Sequence, residues 1–325
     1  EVCGTHTHEI FRLGIRKLLP EQVELISGPG CPVCVTQVGF IDEAIYLALE
    51  RQVTICTFGD LVRVPGTNMS LAGAREKGAK IRIVYSPVDA KEYAKEHPKE
   101  QVTFLSVGFE TTTPSACLSV KKAREEGLTN YSILTANKTM PQAYEALKGS
   151  ADIFLYPGHV NAITGTKLCE ELAKEGVSGV VAGFTAKELL TALAVALARF
   201  QEGRPFFVNC YPRVVTEEGS KEAQRLVDTL MEACDSEWRG LGIIPGSGLR
   251  LRDEWGMYDA RKKYQVPKME GRANPACRCG DVLQGKCKPS DCKVFGKVCT
   301  PQHPVGACMV SGEGACSAYY MYGRE

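Results

Sequence analysis

The sequence has little net charge, few histidines and no long apolar run, and these shortages exclude several classes of function. Lysine and arginine number 39 against 38 aspartates and glutamates, which leaves a formal net charge of +1. No dense basic run occurs, so neither nucleic acid nor a membrane surface is expected as a partner. The apolar stretch from Leu189 to Phe200 is too short to cross a bilayer and predicts a buried helix.

The tail of the chain, residues 277–325, has too few aliphatic side chains to build a core of its own. Seven of the 15 cysteines fall in these 49 residues, so we expect a covalent or metal staple to hold the tail in one shape. Four of them are separated by twelve, six and sixteen residues: Cys279, Cys292, Cys299 and Cys316. The tail lacks the two short Cys-x2–4-Cys pairs that are typical of structural zinc. The spacing therefore favours an iron–sulfur cluster, with zinc and disulfides left as alternatives.

Five other cysteines stand singly in apolar or helical stretches, as small buried side chains do in cytosolic proteins. They are Cys56, Cys117, Cys169, Cys210 and Cys234. We therefore expect a cytoplasmic protein, and 325 residues are enough for two or three domains with substantial cores.

A strand, a glycine-containing or polar turn and a charged helix follow one another repeatedly between residues 23 and 235. Val23–Ser27 precedes a helix at Gln37–Arg51, Val102–Val107 precedes one at Ala116–Glu126, and the last predicted helix is Glu217–Cys234. Apolar strands that alternate with amphipathic helices indicate parallel sheets covered on both faces. The predicted fold class is α/β, with two doubly wound parallel-sheet lobes and a small cysteine-rich iron–sulfur domain.

The same pattern predicts four parts of the chain. Residues 1–20 form an N-terminal segment that packs near the cluster domain, and residues 21–97 form the first lobe. Residues 98–236 form the second lobe, after a break near Glu96–Glu100, and residues 237–325 form the iron–sulfur domain.

In parallel sheets, functional side chains collect in the loops after the strands. Cys31 and Cys34 lie in such a loop, in the run Gly-Pro-Gly-Cys-Pro-Val-Cys. A helix N-terminus lowers the pKa of a thiol, and this spacing also allows a small disulfide ring. We expect a reactive pair; inert thiols or half of a zinc site are the alternatives.

One thiol, two imidazoles and a carboxylate fall within residues 3–9, although the chain has only 5 histidines. Cys3 and His6 together could bind a soft metal, or His6 could activate the thiol. A solvated turn that caps the following helix is the alternative.

Two further candidates follow predicted strands. Glu110 opens the run Glu-Thr-Thr-Thr-Pro, which also has the composition of a helix start, and His159 follows Gly158. Either side chain could serve as an acid or base.

These motifs together resemble the HypD family of hydrogenase maturation factors. The shared runs are Cys-Gly-Thr-His-Thr-His at residues 3–8, Gly-Pro-Gly-Cys-Pro-Val-Cys at 28–34, Gly-Phe-Glu-Thr-Thr at 108–112 and Pro-Gly-His-Val-Asn-Ala-Ile at 157–163. The cysteine spacing of the tail is similar to that family's [4Fe-4S] ligand pattern. The resemblance spans nearly the whole chain.

The resemblance implies a scaffold on which the Fe(CN)2CO unit of [NiFe]-hydrogenase is assembled, with redox activity but without conventional turnover. It implies the small chaperone HypC and the cyanide donor HypE as partners, with HypF upstream and the hydrogenase large subunit as the later recipient. Cys3 would bind the iron, with His6 orienting or deprotonating the thiol, and Cys31 and Cys34 would be the redox pair. Glu110 or His159 would handle protons.

In the tail, the resemblance implies cysteine ligands for the cluster and additional thiols without a role. Cys279, Cys292, Cys299 and Cys316 would hold the [4Fe-4S] cluster, and the additional iron that carries CN and CO would sit elsewhere. Cys277, Cys287 and Cys308 would be spare thiols.

Two other functions fit the same residues. A ferredoxin-dependent thiol–disulfide reductase with a [4Fe-4S] cluster would use only the Cys31–Cys34 pair and the tail. A zinc-stapled adaptor would use only the tail. Neither gives Cys3 and His6 a task, which favours the scaffold.

Overall fold

Three β-sheets carry the fold in the computed structural model, which describes residues 1–323. The strands are β1 Thr54–Thr57, β2 Ile81–Ile83, β3 Val102–Gly108, β4 Tyr131–Asn137, β5 Phe154–Pro157, β6 Gly179–Ala182, β7 Phe207–Asn209, β8 Met231–Trp238 and β9 Gly242–Leu251.

Helices surround the sheets and fill the tail. They are α1 Gly4–Arg12, α2 Pro32–Val35, α3 Val38–Leu49, α4 Leu71–Glu76, α5 Pro87–Glu96, α6 Thr113–Glu125, α7 Met140–Ala146, α8 Gly158–Thr164, α9 Lys167–Lys174, α10 Ala186–Phe200, α11 Lys221–Leu230, α12 Ala260–Tyr264, α13 Cys279–Leu283 and α14 Ala315–Tyr322. Short 3-10 segments lie at Ile15–Leu18, Gly59–Arg63, Asp253–Tyr258, Pro289–Asp291 and Ala307–Met309.

The first sheet is parallel, with the strand order β2-β1-β3-β4. Strands β3 and β4 are buried along their whole lengths because helices cover both faces. One face packs on α3 and α4, and the other on α5, α6 and the end of α11. The predicted α/β class with parallel sheets is therefore confirmed.

The predicted break near Glu96–Glu100 falls inside this sheet. Thr54 of β1 pairs with Val102 of β3, so the strands on either side of the break are neighbours. The chain leaves edge strand β2 through α5 and crosses β1 to reach β3, as a βαβ crossover does. The first parallel sheet ends with β4 at residue 137, 40 residues after the predicted boundary at 97, and the second sheet begins with β5.

The second sheet is also parallel and has the order β5-β6-β7. Helices α1 and α10 cover one face, and α7 and α9 lie in the core on the other. Helix α10 buries the apolar stripe Leu189, Ala192, Leu193 and Ala196, in agreement with the predicted buried helix. Among residues 1–323, no helix combines the length and apolarity that a membrane span needs.

Two predicted elements differ from the structure. Val23–Ser27 is not a strand; the backbone here meets the N-terminal segment, with Gly28 N–H donating to the Glu1 carbonyl at 2.8 Å. The helix predicted to reach Cys234 ends at Leu230, and the chain continues as the antiparallel hairpin β8–β9. The hairpin crosses the predicted boundary at residue 237, because its strands extend from 231 to 251.

Helix α1 packs between α10 and α14 of the tail. The Phe11 and Tyr319 rings meet edge to face at 5.6 Å, and the His8 and Tyr322 rings do so at 5.3 Å. The first residues of the chain are thereby held against its last helix.

Candidate functional site

Two glycine-containing segments bring the first cysteine against the Cys31 loop. Gly4 N–H donates to the Gly30 carbonyl at 3.0 Å. A Cβ atom at Gly30 would lie 2.3 Å from the Cys3 Cα, and one at Gly4 would lie 3.2 Å from the Cys31 Cβ. No larger side chain fits at these positions without moving backbone, so the glycines permit the approach of Cys3 to Cys31.

Cys31 and Cys34 are joined in a disulfide across the start of α2, with their Cα atoms 5.3 Å apart. Cys31 is the residue before the helix, and its sulfur accepts the Cys34 backbone N–H at 3.2 Å. Both residues are buried. Pro32 occupies the first helical position, where a missing N–H costs nothing, so the local sequence favours this turn.

Cys3 immediately precedes α1 and is only 2% exposed. Burial raises the pKa of its thiol to about 12, although the backbone N–H groups of His6 and Thr5 oppose this rise. Glu313 adds to the increase through its charge, and its carboxylate accepts the Thr5 hydroxyl at 2.7 Å. Cys3 is therefore a protonated thiol at neutral pH unless it binds a cation. Glu313 was not identified from the sequence, because it lies 308 residues from Thr5.

The His6 ring makes no hydrogen bond to the Cys3 thiol, which the role predicted for it would require. Its Nε2 lies 3.0 Å from the Gly183 carbonyl, which can only accept, so Nε2 carries the proton and Nδ1 does not. Nδ1 is buried without a hydrogen-bond partner among residues 1–323. Burial lowers the pKa of His6 to about 3, so the ring is neutral at physiological pH. The contribution of His6 to Cys3 comes from its backbone N–H.

His159 packs against the same aromatic ring as His6. The His6 and His159 rings are 4.9 and 5.0 Å from the ring of Phe184. Burial lowers the pKa of His159 to about 4. The structure thus brings two predicted candidates together around a residue that sequence analysis did not identify.

Glu110 follows β3 and is buried at the N-terminus of α7. Its Oε1 accepts the Met140 backbone N–H at 2.8 Å, whereas Oε2 has no partner among the described residues. Burial raises the pKa of Glu110 to about 7. A carboxyl group with this pKa can both accept and donate a proton at neutral pH, as a general acid or base requires.

Tyr144 is a second buried polar group in this region that the sequence did not point to. The residue is 2% exposed, and its hydroxyl has no partner within residues 1–323. It lies one helical turn after Met140, so its side chain shares a face of α7 with the N–H that Glu110 binds. A tyrosine at this spacing normally indicates core packing, so only the tertiary structure distinguishes it.

In the tail, Cys279 is in contact with two thiols that were predicted to be spare. The Cys277 and Cys308 thiols hydrogen-bond to its sulfur, and these contacts hold the pKa of Cys279 well below its usual range. Cys308 also hydrogen-bonds to Cys316. Cys279 is therefore the sulfur most ready to act as a thiolate ligand.

Two other predicted ligands lie further along the tail. Cys299 is buried, and its sulfur accepts the Val305 N–H at 3.3 Å. It interacts electrostatically with both Cys292 and Cys316. Across residues 1–323, no group of three or more His, Cys, Asp or Glu side chains is arranged so that it could hold a metal ion as it stands. The tail cysteines form a succession of pairwise neighbours, and their thiol chemistry suits the iron of a cluster.

One apolar core joins these groups. The disulfide, Cys279 and Cys308 belong to a single buried cluster, together with Phe109 and Tyr144. The site is thus a buried, apolar and sulfur-rich region between the second sheet and the tail. Such a region can bind a soft metal and can move electrons between sulfurs. The fold and the site together define an α/β protein in which a buried cysteine pair, Cys31 and Cys34, lies beside a third cysteine, Cys3.

Comparison with known proteins identifies the family. A family model described as the "Hydrogenase formation hypA family", HypD, matches residues 1–323. The hydrogenase maturation factor HypD of Cupriavidus necator is 43% identical, covering 100% of this chain and 89% of the relative. The HypD of Rhizobium leguminosarum bv. viciae is 44% identical over 100% and 88%, and that of Escherichia coli is 41% identical over 100% and 89%. The chain belongs to the HypD family of hydrogenase maturation factors.

Proposed function

We propose that this protein is the scaffold on which the Fe(CN)2CO unit of [NiFe]-hydrogenase is assembled. HypC would complete the iron site, HypE would deliver cyanide as a thiocyanate after HypF has acted upstream, and the hydrogenase large subunit would receive the product. The observation that supports the proposal is the contact of Cys3 with the Cys31 loop through Gly4 and Gly30. Two chemically different sulfur groups are thereby placed side by side.

The redox balance gives both sulfur groups a task. Release of cyanide from R–S–C≡N to iron breaks the S–C bond and requires two electrons. Reduced Cys31 and Cys34 supply them by forming their disulfide, and they also release two protons. One proton converts the departing thiolate into R–SH, and one must be removed. The products are the disulfide, R–SH, iron-bound cyanide and one proton.

The predicted site residues have properties that fit that balance. Cys3 would bind the iron, because a thiolate is a soft ligand suited to iron that carries cyanide and carbon monoxide. Glu110 would accept the remaining proton, since burial raises the pKa of its carboxyl to about 7. His159 is a second candidate acceptor, but burial makes it a weaker base. His6 would hold the start of α1 through Gly183 and support Cys3 with its backbone N–H.

The tail would hold a resident [4Fe-4S] cluster through Cys279, Cys292, Cys299 and Cys316. The fit rests on the donor set, because Cys279, Cys308 and Cys316 are linked by hydrogen bonds and Cys299 is adjacent. Such a cluster supplies electrons one at a time. Cys279 and the disulfide belong to the same buried core, which supports electron transfer from such a cluster to the disulfide.

Replacement of Cys3 tests the iron site. Cys3→Ala should abolish the cyanide and carbonyl infrared bands of the anaerobic protein co-expressed with its partners, because the iron loses its thiolate. The matched control is Cys56→Ala, which removes an equally buried thiol from β1 in the core of the first sheet and should retain the bands. Bands that persist in Cys3→Ala would show that the iron binds elsewhere.

A ferredoxin-dependent thiol–disulfide reductase is the second candidate. The inclusion of Cys31, Cys34, Cys279 and Cys308 in one core cluster favours it as well, because the redox pair and two tail cysteines then share one buried region. The reductase predicts no iron beyond the four atoms of its cluster and no cyanide. Iron and sulfide quantitation on the anaerobic complex separates the two functions.

A further inference from the structure

The hydroxyl of Tyr144 is buried in a manner that a structural role does not explain. A buried hydroxyl without a partner costs free energy, so such groups are rare unless a ligand satisfies them. Another buried tyrosine shows the usual arrangement: the Tyr131 hydroxyl is 2.9 Å from the Ser119 hydroxyl and 3.3 Å from the Pro87 carbonyl. Neither the Tyr144 hydroxyl nor that of the neighbouring Tyr156 has an equivalent contact among residues 1–323, and of the two only Tyr144 interacts electrostatically with Cys3.

A series of contacts connects Tyr144 to the segment that carries Cys3. Glu110 binds the first N–H of α7, and Tyr144 lies one turn further along the same helix face. Its ring packs 4.9 Å from that of Tyr156, which directly follows Leu155. The Leu155 carbonyl accepts the backbone N–H of Val2 at 3.3 Å, and Val2 precedes Cys3.

The packing and charges agree with this placement. Tyr144, Val2 and Cys31 belong to the same apolar cluster. Tyr144 also interacts electrostatically with Cys3 and Glu110. Two buried polar atoms without partners, the Tyr144 hydroxyl and Glu110 Oε2, therefore belong to residues that interact with each other, and Tyr144 also interacts with Cys3.

We propose that the Tyr144 hydroxyl donates a hydrogen bond to the nitrogen of a cyanide carried by the iron at Cys3. The inference rests on the proposed function and assigns a positioning residue within it. Metal-bound cyanide keeps a lone pair on nitrogen, and it is a stronger acceptor than bound carbon monoxide. A phenol that cannot find an acceptor in the protein suits that nitrogen, because the bond forms only once the ligand has arrived.

The test is the infrared spectrum of the anaerobic complex co-expressed with its partners. Tyr144→Phe keeps the ring that packs on Tyr156 and removes only the oxygen. One cyanide band should shift relative to the wild type, while the carbonyl band changes less. The matched control is Tyr156→Phe, which also removes a buried hydroxyl without a described partner. The thiol that raises the pKa of Tyr156 through its charge is Cys169 rather than Cys3, so the control should leave the cyanide bands in place.

Solvent exchange provides an independent measurement on the unaltered protein. Transfer of the wild-type complex from water to deuterium oxide should shift the same cyanide band, and Tyr144→Phe should remove that shift. Cyanide bands identical in wild type and Tyr144→Phe would overturn the inference and leave the proposed function intact. A wild-type complex without cyanide bands would overturn both.

Discussion

The contact between the Cys3 segment and the Cys31 loop should fail if a methyl group is added at Gly30. In Gly30→Ala the new Cβ would lie 2.3 Å from both the N and Cα atoms of Cys3. These are backbone atoms that cannot rotate away, so the two segments must separate. The separation also lengthens the 3.0 Å hydrogen bond from Gly4 N–H to the Gly30 carbonyl.

The size of the effect follows from these two losses. Overpacking by one carbon costs about 1–3 kcal/mol, and loss of a backbone hydrogen bond costs about 0.5–1.5 kcal/mol. The sum, about 1.5–4.5 kcal/mol, would weaken the docking of α1 rather than the distant first sheet. Amide exchange through local opening should therefore accelerate by roughly 10- to 1,600-fold, since about 1.4 kcal/mol is a factor of ten.

Hydrogen–deuterium exchange with mass spectrometry on peptides from residues 1–12 measures this directly. Gly312→Ala is the matched control, because a Cβ there meets nothing within 4 Å and the residue is also close to α1, where its carbonyl contacts His8. The control should stay within about 0.5 kcal/mol of the wild type. Equal exchange in the two variants would refute the claim that the glycine at 30 is needed for the approach of Cys3.

Two further predictions concern protonation and cluster ligation. Burial raises the pKa of Glu110 from 4.5 to about 7, so its stabilising contribution is present below pH 4.5 and is lost as pH rises through 7. Glu110→Gln should reduce the change in the free energy of unfolding between pH 5 and 8 by roughly 2–3 kcal/mol, measured by thermal unfolding. An unchanged pH profile would contradict the raised pKa of Glu110. In the tail, Cys279→Ser should lower the iron and labile sulfide content, whereas Cys277→Ser should not. The opposite result would transfer the ligand role to Cys277.

Local sequence signals were sufficient for much of the two parallel sheets. β3 and β4 are continuous apolar runs followed by amphipathic helices, and parallel strands buried on both faces show this pattern. The same reasoning failed at Val23–Ser27, which has a strand composition but no neighbouring strand. Its backbone hydrogen-bonds to the N-terminal segment instead. Strand identity there depends on a partner that lies outside the local sequence.

The residues of the candidate site also fall into those that the local sequence identifies and those that it does not. The glycines and prolines of the Gly-Pro-Gly-Cys-Pro-Val-Cys run indicate a turn before a helix, so the Cys31–Cys34 pair was recognisable from the local sequence. Tyr144 looked like an ordinary core residue, and Glu313 is a surface-type residue far along the chain. Both become relevant only because α7 and the tail fold back onto Cys3. Residues that act through tertiary neighbours carry no local pattern.

The burial of the sulfurs bears on how electrons would reach them. Cys31 and Cys34 are 2% and 0% exposed, so a bulky external thiol cannot attack their disulfide without opening the structure, and thiol–disulfide exchange requires such direct access. Cys279 and Cys308 already share the apolar core with the pair. Electrons delivered through the tail would need no opening at all. The same burial keeps water from a reduced pair until a substrate enters, which suits stepwise assembly at Cys3 better than repeated exchange with an external dithiol.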